Sequence, residues 1–530
     1  MKTVGMALVE GLQKRGVEVV FGIPGVHTIE LYRGLSGSPI RHVTPRHEQG
    51  AGFMADGYAR VSGKPGVAFV ITGPGLTNAL TAMAQARADS VPILVISGVN
   101  RMESHGKGRG HLHELPDQAA MIKTLCPSFT LTTADALEVV LDAAFHAMTG
   151  ARPGPAHIEI PLDIMSHPAA PKRPAQTPAL PPAAFRPPHL DAAADLLAQA
   201  KRPVILVGGG AKRAGLPLRA LAERIGAPVV ETVNARGLLP HHPLEVPASP
   251  SLPAIRALIR EADCTLAIGT EFGPTDYDMY QRGPLPRPKN LIQIEICPDQ
   301  LHRQNADLPL LGDAERLTAQ LLERLESRAP QPSDRAADGA SRAAKARSEA
   351  LADLSADMAH QLGLLEVMRD SLPGCLIVGD STQPVYAGNL YYAHDRAGGW
   401  FNAATGYGAL GFATGAAVGA AIAAPGTDVI CLIGDGGLQF SPGELRTAVD
   451  ESLPIRFIVW NNAGFGEIAQ SMRDAQTEVI GCTPSPLRLE PFAAACDLPY
   501  RCIPPTPEAL RAALTQGPAA PCLIEIRIDP

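Results

Sequence analysis

In the stretch RHEQGAGFMADGYAR, residues 46 to 60, Glu48 stands at the mouth of a segment of Gly, Ala, Met, Phe and Tyr, with only Arg46 and His47 beside it. A carboxylate desolvated without a partner raises its pKa until it neutralises. Glu48 therefore calls for a partner from elsewhere. A second carboxylate, Asp435, closes a buried-strand pattern in CLIGDGG, residues 431 to 437. After the helical stretch SPGELRTAVDESL, another strand pattern, IRFIVW, runs into Asn461, Asn462, Ala463 and Gly464. Adjacent parallel strands deliver their C-terminal ends to one sheet edge, where α/β proteins bind ligands. One carboxylate oxygen, one asparagine amide oxygen and one loop carbonyl then meet. Such hard oxygens suit Mg²⁺, with phosphate oxygens in its remaining octahedral positions. Gly436 and Gly437 let backbone N–H groups approach a phosphate at a helix N-terminus. The spacing asks for a diphosphate held through a metal.

These residues need rigid elements to position them. At 530 residues and a formal net charge of -7, the chain has room for roughly three domains of about 150 residues each, and it lacks the basic excess of a nucleic-acid binder. The N-terminus, MKTVGMALVEGLQKRGVEVVFG, has early charges and helical apolar spacing; it reads as a first helix and strand rather than a cleaved signal peptide. No apolar run reaches about 18 residues, so no membrane span is expected. The nine cysteines include no CxxC and no Cys/His cluster, which argues against disulfides or structural zinc and fits packing thiols in a reducing cytoplasm. Two stretches, Pro-rich at 165–190 and polar, Ala-rich and Pro-interrupted at 327–349, read as linkers. They leave blocks at 1–164, 191–326 and 350–530. Each block alternates short β-branched runs, such as GVAFVITG, PVILVGGG and DVICLIGDG, with longer Ala- and Leu-bearing amphipathic stretches. That is the pattern of βαβ units. The expected fold class is α/β, with three doubly wound parallel-sheet domains. The outer blocks also look alike internally, GAGFMADGYARVSGKPGVAFVITGPG beside GYGALGFATGAAVGAAIAAPGTDVICLIGDG, which suggests a duplication with two related sheets facing one another.

GDG, a spacer of this length and then NN is similar to the thiamine-diphosphate signature, and the whole chain resembles the superfamily of acetolactate synthase and pyruvate decarboxylase. The resemblance implies the domain order pyrimidine-binding, central and diphosphate-binding, with thiamine diphosphate and Mg²⁺ as cofactors. It implies Asp435, the Asn462 side chain and the Gly464 carbonyl as metal ligands, with Gly434, Gly436 and Gly437 around the diphosphate. RHEQGAGFMADGYAR matches the motif whose glutamate hydrogen-bonds the aminopyrimidine, so the cofactor is implied to be the missing partner of Glu48. A desolvated carboxylate that shares a proton with a ring nitrogen promotes the imino tautomer, which can then take the thiazolium proton. Since different domains grip the two ends, the family builds its site between subunits. A homodimer is the implied minimum, with a homotetramer expected.

Further positions follow from the same resemblance. GYGALGFATGAAVGA matches the stretch in which a backbone carbonyl, here Gly408, holds the pyrimidine and an apolar wedge, here Leu410, bends the cofactor. Acetolactate synthases usually carry Met at the wedge, and Leu fills similar volume. GDSTQPVYAGN (379–389) offers Ser381, Thr382 and Gln383 to the diphosphate, although a Ser/Thr helix cap is an equal reading. FGIPGVHTIELY places His27, and GRGHLHELPDQ places His113, where relatives face substrate. Imidazoles that titrate near neutrality suit the supply or relay of the proton that product release requires. The set of motifs most closely resembles the acetolactate-synthase-like 5-guanidino-2-oxopentanoate decarboxylases. There the substrate is a small 2-oxo acid whose guanidinium would suit an acidic residue, and Glu114 and Glu467 are the candidates. The alternative is a carboligase, like acetolactate synthase or benzaldehyde lyase, which joins the same fragment to a second carbonyl compound. PVILVGGGAKRAG in the central block has glycines after a strand but no fuller dinucleotide fingerprint, so no flavin is expected.

Overall fold

The structure, a computed structural model, describes residues 2–169, 189–279, 283, 285, 287–328, 334–517 and 520–528. Its β-branched runs form three six-stranded sheets. The first holds β1 (Val19–Gly22), β2 (Arg41–Val43), β3 (Gly66–Val70), β4 (Ile93–Val99), β5 (Ser128–Thr130) and β6 (Ala156–Pro161). The second holds β7 (Pro203–Val207), β8 (Val229–Glu231), β9 (Glu245–Val246), β10 (Cys264–Ile268), β11 (Leu291–Glu295) and β12 (Leu308–Leu311). The third holds β13 (Leu376–Gly379), β14 (Trp400–Asn402), β15 (Val429–Gly434), β16 (Ile455–Asn461), β17 (Tyr500–Ile503) and β18 (Cys522–Arg527). Strand pairs within each sheet are parallel, as continuous apolar runs such as VICLI require when both faces are covered. The fold is α/β, as the alternation of strand and helix patterns implies.

Strand orders are β2-β1-β3-β4-β6-β5 in the first sheet and β14-β13-β15-β16-β18-β17 in the third. The two are the same order counted from each sheet's own first strand, which supports the duplication. The central sheet differs, with order β12-β11-β10-β7-β8-β9. One apolar core joins the outer sheets, running from Phe21 and Phe53 through Phe412 and Val418 to Phe457. At its centre the helix Glu48–Ser62 crosses the helix Phe412–Ala423. Their small residues, GAG in one and FATGAAVGAA in the other, allow backbone to approach backbone. A Cβ on Gly57 would lie 2.0 Å from the Ala416 carbonyl oxygen, and one on Gly419 1.9 Å from that of Met54. Phe53 and Phe412 pack edge to face across the crossing at 5.3 Å.

One linker reading is corrected. Much of 327–349 belongs to a 19-residue helix, Asp334–Ala352. Ala343, Ala346 and Ala350 are buried against Ile255 and Leu258 of the central segment, and Arg342 donates to the carbonyls of Pro203 and Gly226. An alanine stripe at helical spacing packs flush although it carries little hydrophobic signal. Of the other linker stretch, residues 170–188 lie outside the described residues.

The crossing predicts opposite signs for two glycine substitutions. Gly57→Ala forces the helices apart and destabilises by about 1–3 kcal/mol or more. Gly363→Ala, inside the helix Ala356–Ser371 with nothing within 4 Å of its Cβ position, stabilises by about 0.5–1 kcal/mol. Thermal unfolding of both variants checks the pair; equal midpoints would refute the tight crossing.

Candidate active site

The third sheet brings the GDG and NN motifs to one edge. Asp435, 3% exposed, follows β15 and opens the short helix Asp435–Leu438. Burial raises its pKa, opposed by backbone N–H groups of Asn462, Asp435 and Gly436. One atom position of the Asn462 amide lies 2.8 Å from the Gly464 carbonyl oxygen and 3.2 Å from Asp435 Oδ1. With oxygen there, three acceptors face each other without a donor; with the amide turned, nitrogen donates to both. Oxygen separations near 3 Å are what adjacent ligands about 2.1 Å from an octahedral Mg²⁺ give, so the oxygen-inward orientation fits a divalent cation. Among the described residues no three His, Cys, Asp or Glu side chains group as a metal site. A cation here would rest on one carboxylate, one amide and one carbonyl.

The neighbouring loop closes the same edge. Thr382 sits at the N-cap of the helix Gln383–Leu390 but makes no side-chain capping bond, and its hydroxyl lies 3.0 Å from a Cβ placed on Gly434. Gln383 Oε1 accepts from Trp460 Nε1 at 2.9 Å and from Asn462 Nδ2 at 3.3 Å, so Gln383 reaches the Asn462 loop. Ser381 is half-buried beside them. Asp380, fully buried, accepts from the backbone N–H groups of Ser381 and Ala413. Burial pushes its carboxyl up to about 6 against those bonds. It thereby ties the Ser381 loop to the start of the Phe412 helix. Gly408, at φ 76°, is exposed, and Leu410 half-buried, just before that helix. Their loop is anchored to the first sheet's helices: Ala409 N donates to Gln85 Oε1 at 3.2 Å, and Thr405 Oγ1 to Asp89 Oδ1 at 2.7 Å. Asp89 also pairs with buried Arg60, on one wall of a separate cavity of about 570 Å³ between the three sheets.

Glu48 is the first residue of its helix and half-buried. Asn78 Nδ2 donates to its Oε2 at 3.0 Å, and Oε1 lies beside Gly75. Both neighbours come from the helix Pro74–Ala88; among the described residues no hydrogen bond joins Glu48 to the Asp435 loop. What the third segment does supply is Glu444. Its carboxylate, 1% exposed, accepts from the backbone N–H groups of Arg46 and His47 at 3.1 Å and from Thr447 Oγ1 at 2.8 Å. A Cβ on Gly50 would lie 2.1 Å from that carboxylate. Glu444 thus caps the turn that presents Glu48.

His27 and His113 are brought together at 5.2 Å between ring centroids, tilted by 57°. Both Nδ1 atoms are buried without a hydrogen-bond partner. Burial lowers the pKa of His27, and the His113 charge lowers it further. Glu114 accepts from the N–H groups of Arg109 and His111 at 3.2 and 2.9 Å, so both its oxygens already clasp the loop before His113. Glu467, second residue of the helix Gly466–Asp474, is exposed just after the Asn462–Gly464 loop. Exposed apolar side chains flank each half: Val26, Ile29 and Leu112 near the histidines, Tyr407, Phe440 and Ile468 near Asp435.

Comparison with known families matches three descriptions in order. These are the thiamine pyrophosphate enzyme N-terminal TPP binding domain at residues 2–121, the central domain at 190–322 and the C-terminal TPP binding domain at 380–526. The chain belongs to the thiamine pyrophosphate enzymes. It is similar to a probable 2-ketoarginine decarboxylase of Pseudomonas aeruginosa, 44% identical over 91% of this chain and 86% of that protein. It is also similar to the acetolactate synthase isozyme 1 large subunit of Escherichia coli, 30% identical over 98% of this chain and 93% of that protein. The acetolactate synthase large subunit of Mycobacterium tuberculosis is 32% identical over 88% of this chain and 77% of that protein.

For a thiamine pyrophosphate enzyme, sequence reasoning missed Asp380, Glu444, Asn78 and Gln85. Asp380 and Glu444 lie inside the quoted GDST and SPGEL, yet their work is to accept backbone N–H groups from distant segments, which leaves no local signature. Glu444 gives a pH prediction. Burial pushes its carboxyl up to about 7, from an ordinary 4.5, so the folded chain binds this proton more tightly than the unfolded one. Its contribution to stability is complete below about pH 4.5 and is lost as pH rises to about 7. Glu444→Gln removes that slope, so denaturant titrations at pH 5 and 8 should bring the variant's two midpoints closer together than the parent's. An unchanged difference would overturn the assignment.

Proposed function

We propose that this thiamine pyrophosphate enzyme is a Mg²⁺-dependent, non-oxidative decarboxylase of a 2-oxo acid, with 5-guanidino-2-oxopentanoate as substrate and an aldehyde and CO₂ as products. The observation that carries the reading is the 44% identity to a probable 2-ketoarginine decarboxylase across nearly the whole chain. In this reading 1–164 holds the pyrimidine, 191–326 is the central domain and 350–530 holds the diphosphate. Bound thiamine diphosphate supplies the carbon nucleophile and the electron sink. Asp435, Asn462 and the Gly464 carbonyl hold Mg²⁺. Ser381, Thr382, Gln383 and the N–H groups around Gly434, Gly436 and Gly437 hold the phosphates, while the Gly408 carbonyl and Leu410 orient the ring system. Glu48 keeps Oε2 on Asn78 and uses Oε1 to hold and return a proton at the pyrimidine nitrogen. His27 and His113, with free Nδ1 positions, carry the proton that releases product. Glu467, open to solvent, is the carboxylate for the guanidinium; Glu114, already bonded to backbone, is the weaker candidate.

A homodimer at least, and a homotetramer in the full assembly, follows from this reading. Glu48 and Asp435 lie in different segments without a hydrogen bond between them, and the exposed apolar residues around each half suit burial against a second copy. The reading places the enzyme in the cytoplasm, where its nine free cysteines stay reduced. No helix among the described residues is long and apolar enough to cross a membrane. The second reading, a carboligase, is favoured by the acetolactate synthases at 30 and 32% identity.

Product analysis separates the two. With 5-guanidino-2-oxopentanoate, CO₂ and 4-guanidinobutanal should form in equal amounts, and pyruvate should give little acetolactate; acetolactate as the main product would defeat the decarboxylase. Glu48→Gln should lower kcat by about 10²–10⁴ while calorimetry still shows cofactor and Mg²⁺ binding, whereas Asp435→Asn should lose both. Full turnover in Glu48→Gln would remove the proposed role of that carboxyl.

A further inference from the structure

Behind the two histidines lies a buried amide that their reading does not use. Gln118, 3% exposed, opens the helix Gln118–Lys123. Its Oε1 accepts from Thr72 Oγ1 at 2.8 Å and from the Gly73 N–H at 3.4 Å. Its Nε2 donates to Ser97 Oγ at 3.0 Å, to the Gly98 carbonyl at 3.0 Å and to Glu159 Oε2 at 3.1 Å. Oε1 thus faces the loop that follows β3, while the two N–H groups of Nε2 are shared among Ser97 and Gly98 of β4 and Glu159 of β6. The histidines rest on Gly73 of that loop and on Gly98 of β4. A Cβ on Gly73 would lie 2.5 Å from the His113 carbonyl oxygen and 2.9 Å from its Cβ. A Cβ on Gly98 would lie 2.5 Å from the His27 carbonyl oxygen and 3.0 Å from its Cβ.

We propose that Gln118 is the positioning residue of the His27–His113 pair: by bonding Gly73 and Gly98 at once, it fixes the spacing of the two backbone seats and hence of the two imidazoles. Its function in turnover rests on the proton-transfer reading of that pair. The bonds behind it are closed as well. Glu159 Oε1 accepts from Thr130 Oγ1 at 2.7 Å, and His157 is held by Ser97 and Ser128 at 2.8 Å on its two nitrogens. Burial holds the His157 pKa down at about 3, so that ring stays neutral and the seat carries no titrating imidazole of its own. Burial is the larger cause of the lowered His27 pKa, and the His113 charge adds to it. If the seats move apart, that repulsion weakens and the His27 pKa rises towards its ordinary value.

The test is Gln118→Met, which keeps the volume and removes all five bonds, in the full-length protein labelled with ¹³C at histidine Cε1. His27 and His113 signals are assigned with His27→Asn and His113→Asn. In the cofactor-free protein the His27 titration midpoint should rise, and in the loaded enzyme kcat should fall at least about tenfold with little change in KM. Gln118→Glu should not rescue, because it sets a carboxylate against Glu159 and the Gly98 carbonyl. If Gln118→Met does not fold, Thr72→Val and Gly98→Ala displace the same seats singly and should shift the same two signals. A folded variant with an unmoved His27 titration and an unmoved His113 signal overturns the proposal. Shifted titrations with an unchanged kcat–pH profile uphold the positioning and overturn the proton-transfer role of the pair instead.

Discussion

Two helices of this chain cross so closely that a side chain at Gly57 or Gly419 would meet the opposite backbone at 2.0 or 1.9 Å. That contact sets the relation of the first and third sheets, because the largest apolar core of the molecule runs through it. One of the helices begins at Glu48 and the other begins just after Leu410. Glu48 and Leu410, both expected beside the ring system of the cofactor, are therefore mounted on the same packed pair of helices.

Two buried carboxylates do much of the remaining positioning by accepting backbone N–H groups. Asp380 holds the N–H groups of Ser381 and Ala413; Glu444 holds those of Arg46 and His47. In each, burial raises the carboxyl pKa more than the backbone bonds lower it. Hydrogen bonds from N–H groups fix direction better than an ion pair of flexible side chains, and they join segments far apart in sequence. Asp435 differs because its neighbours include oxygens as well as N–H groups. A carboxylate, an amide and a carbonyl crowded to about 3 Å are relieved by a cation or by a turned amide, so the same three residues are metal ligands or a hydrogen-bonded set.

The two halves of the chemistry are built differently. In the proposed reading, the diphosphate half uses strand-end glycines and hydroxyls, and Gln383 ties its loops together by accepting from Trp460 and Asn462. The proposed proton-handling half depends on spacing between side chains from separate elements: Glu48 against Asn78 of the next helix, and His27 against His113.

Much was legible in the residues alone. The alternation of β-branched runs with amphipathic stretches gave three parallel sheets, and GDG followed by NN gave Asp435 and Asn462 at one sheet edge, because both signals are local: one is a chain periodicity, the other a turn at a strand end. The helix Asp334–Ala352 was not legible, since an alanine stripe shows its face only once a partner surface exists. Nor were Gln118, Glu444 and Asp380. Their bonds reach backbone groups 45, 398 and 33 residues away, and a hydrogen bond across such a separation leaves no periodicity to read. Sequence determined which groups could do chemistry and that they lie at strand ends. Only tertiary structure decided which of them meet, because glycines with no side chain set how near two helices or two loops can come.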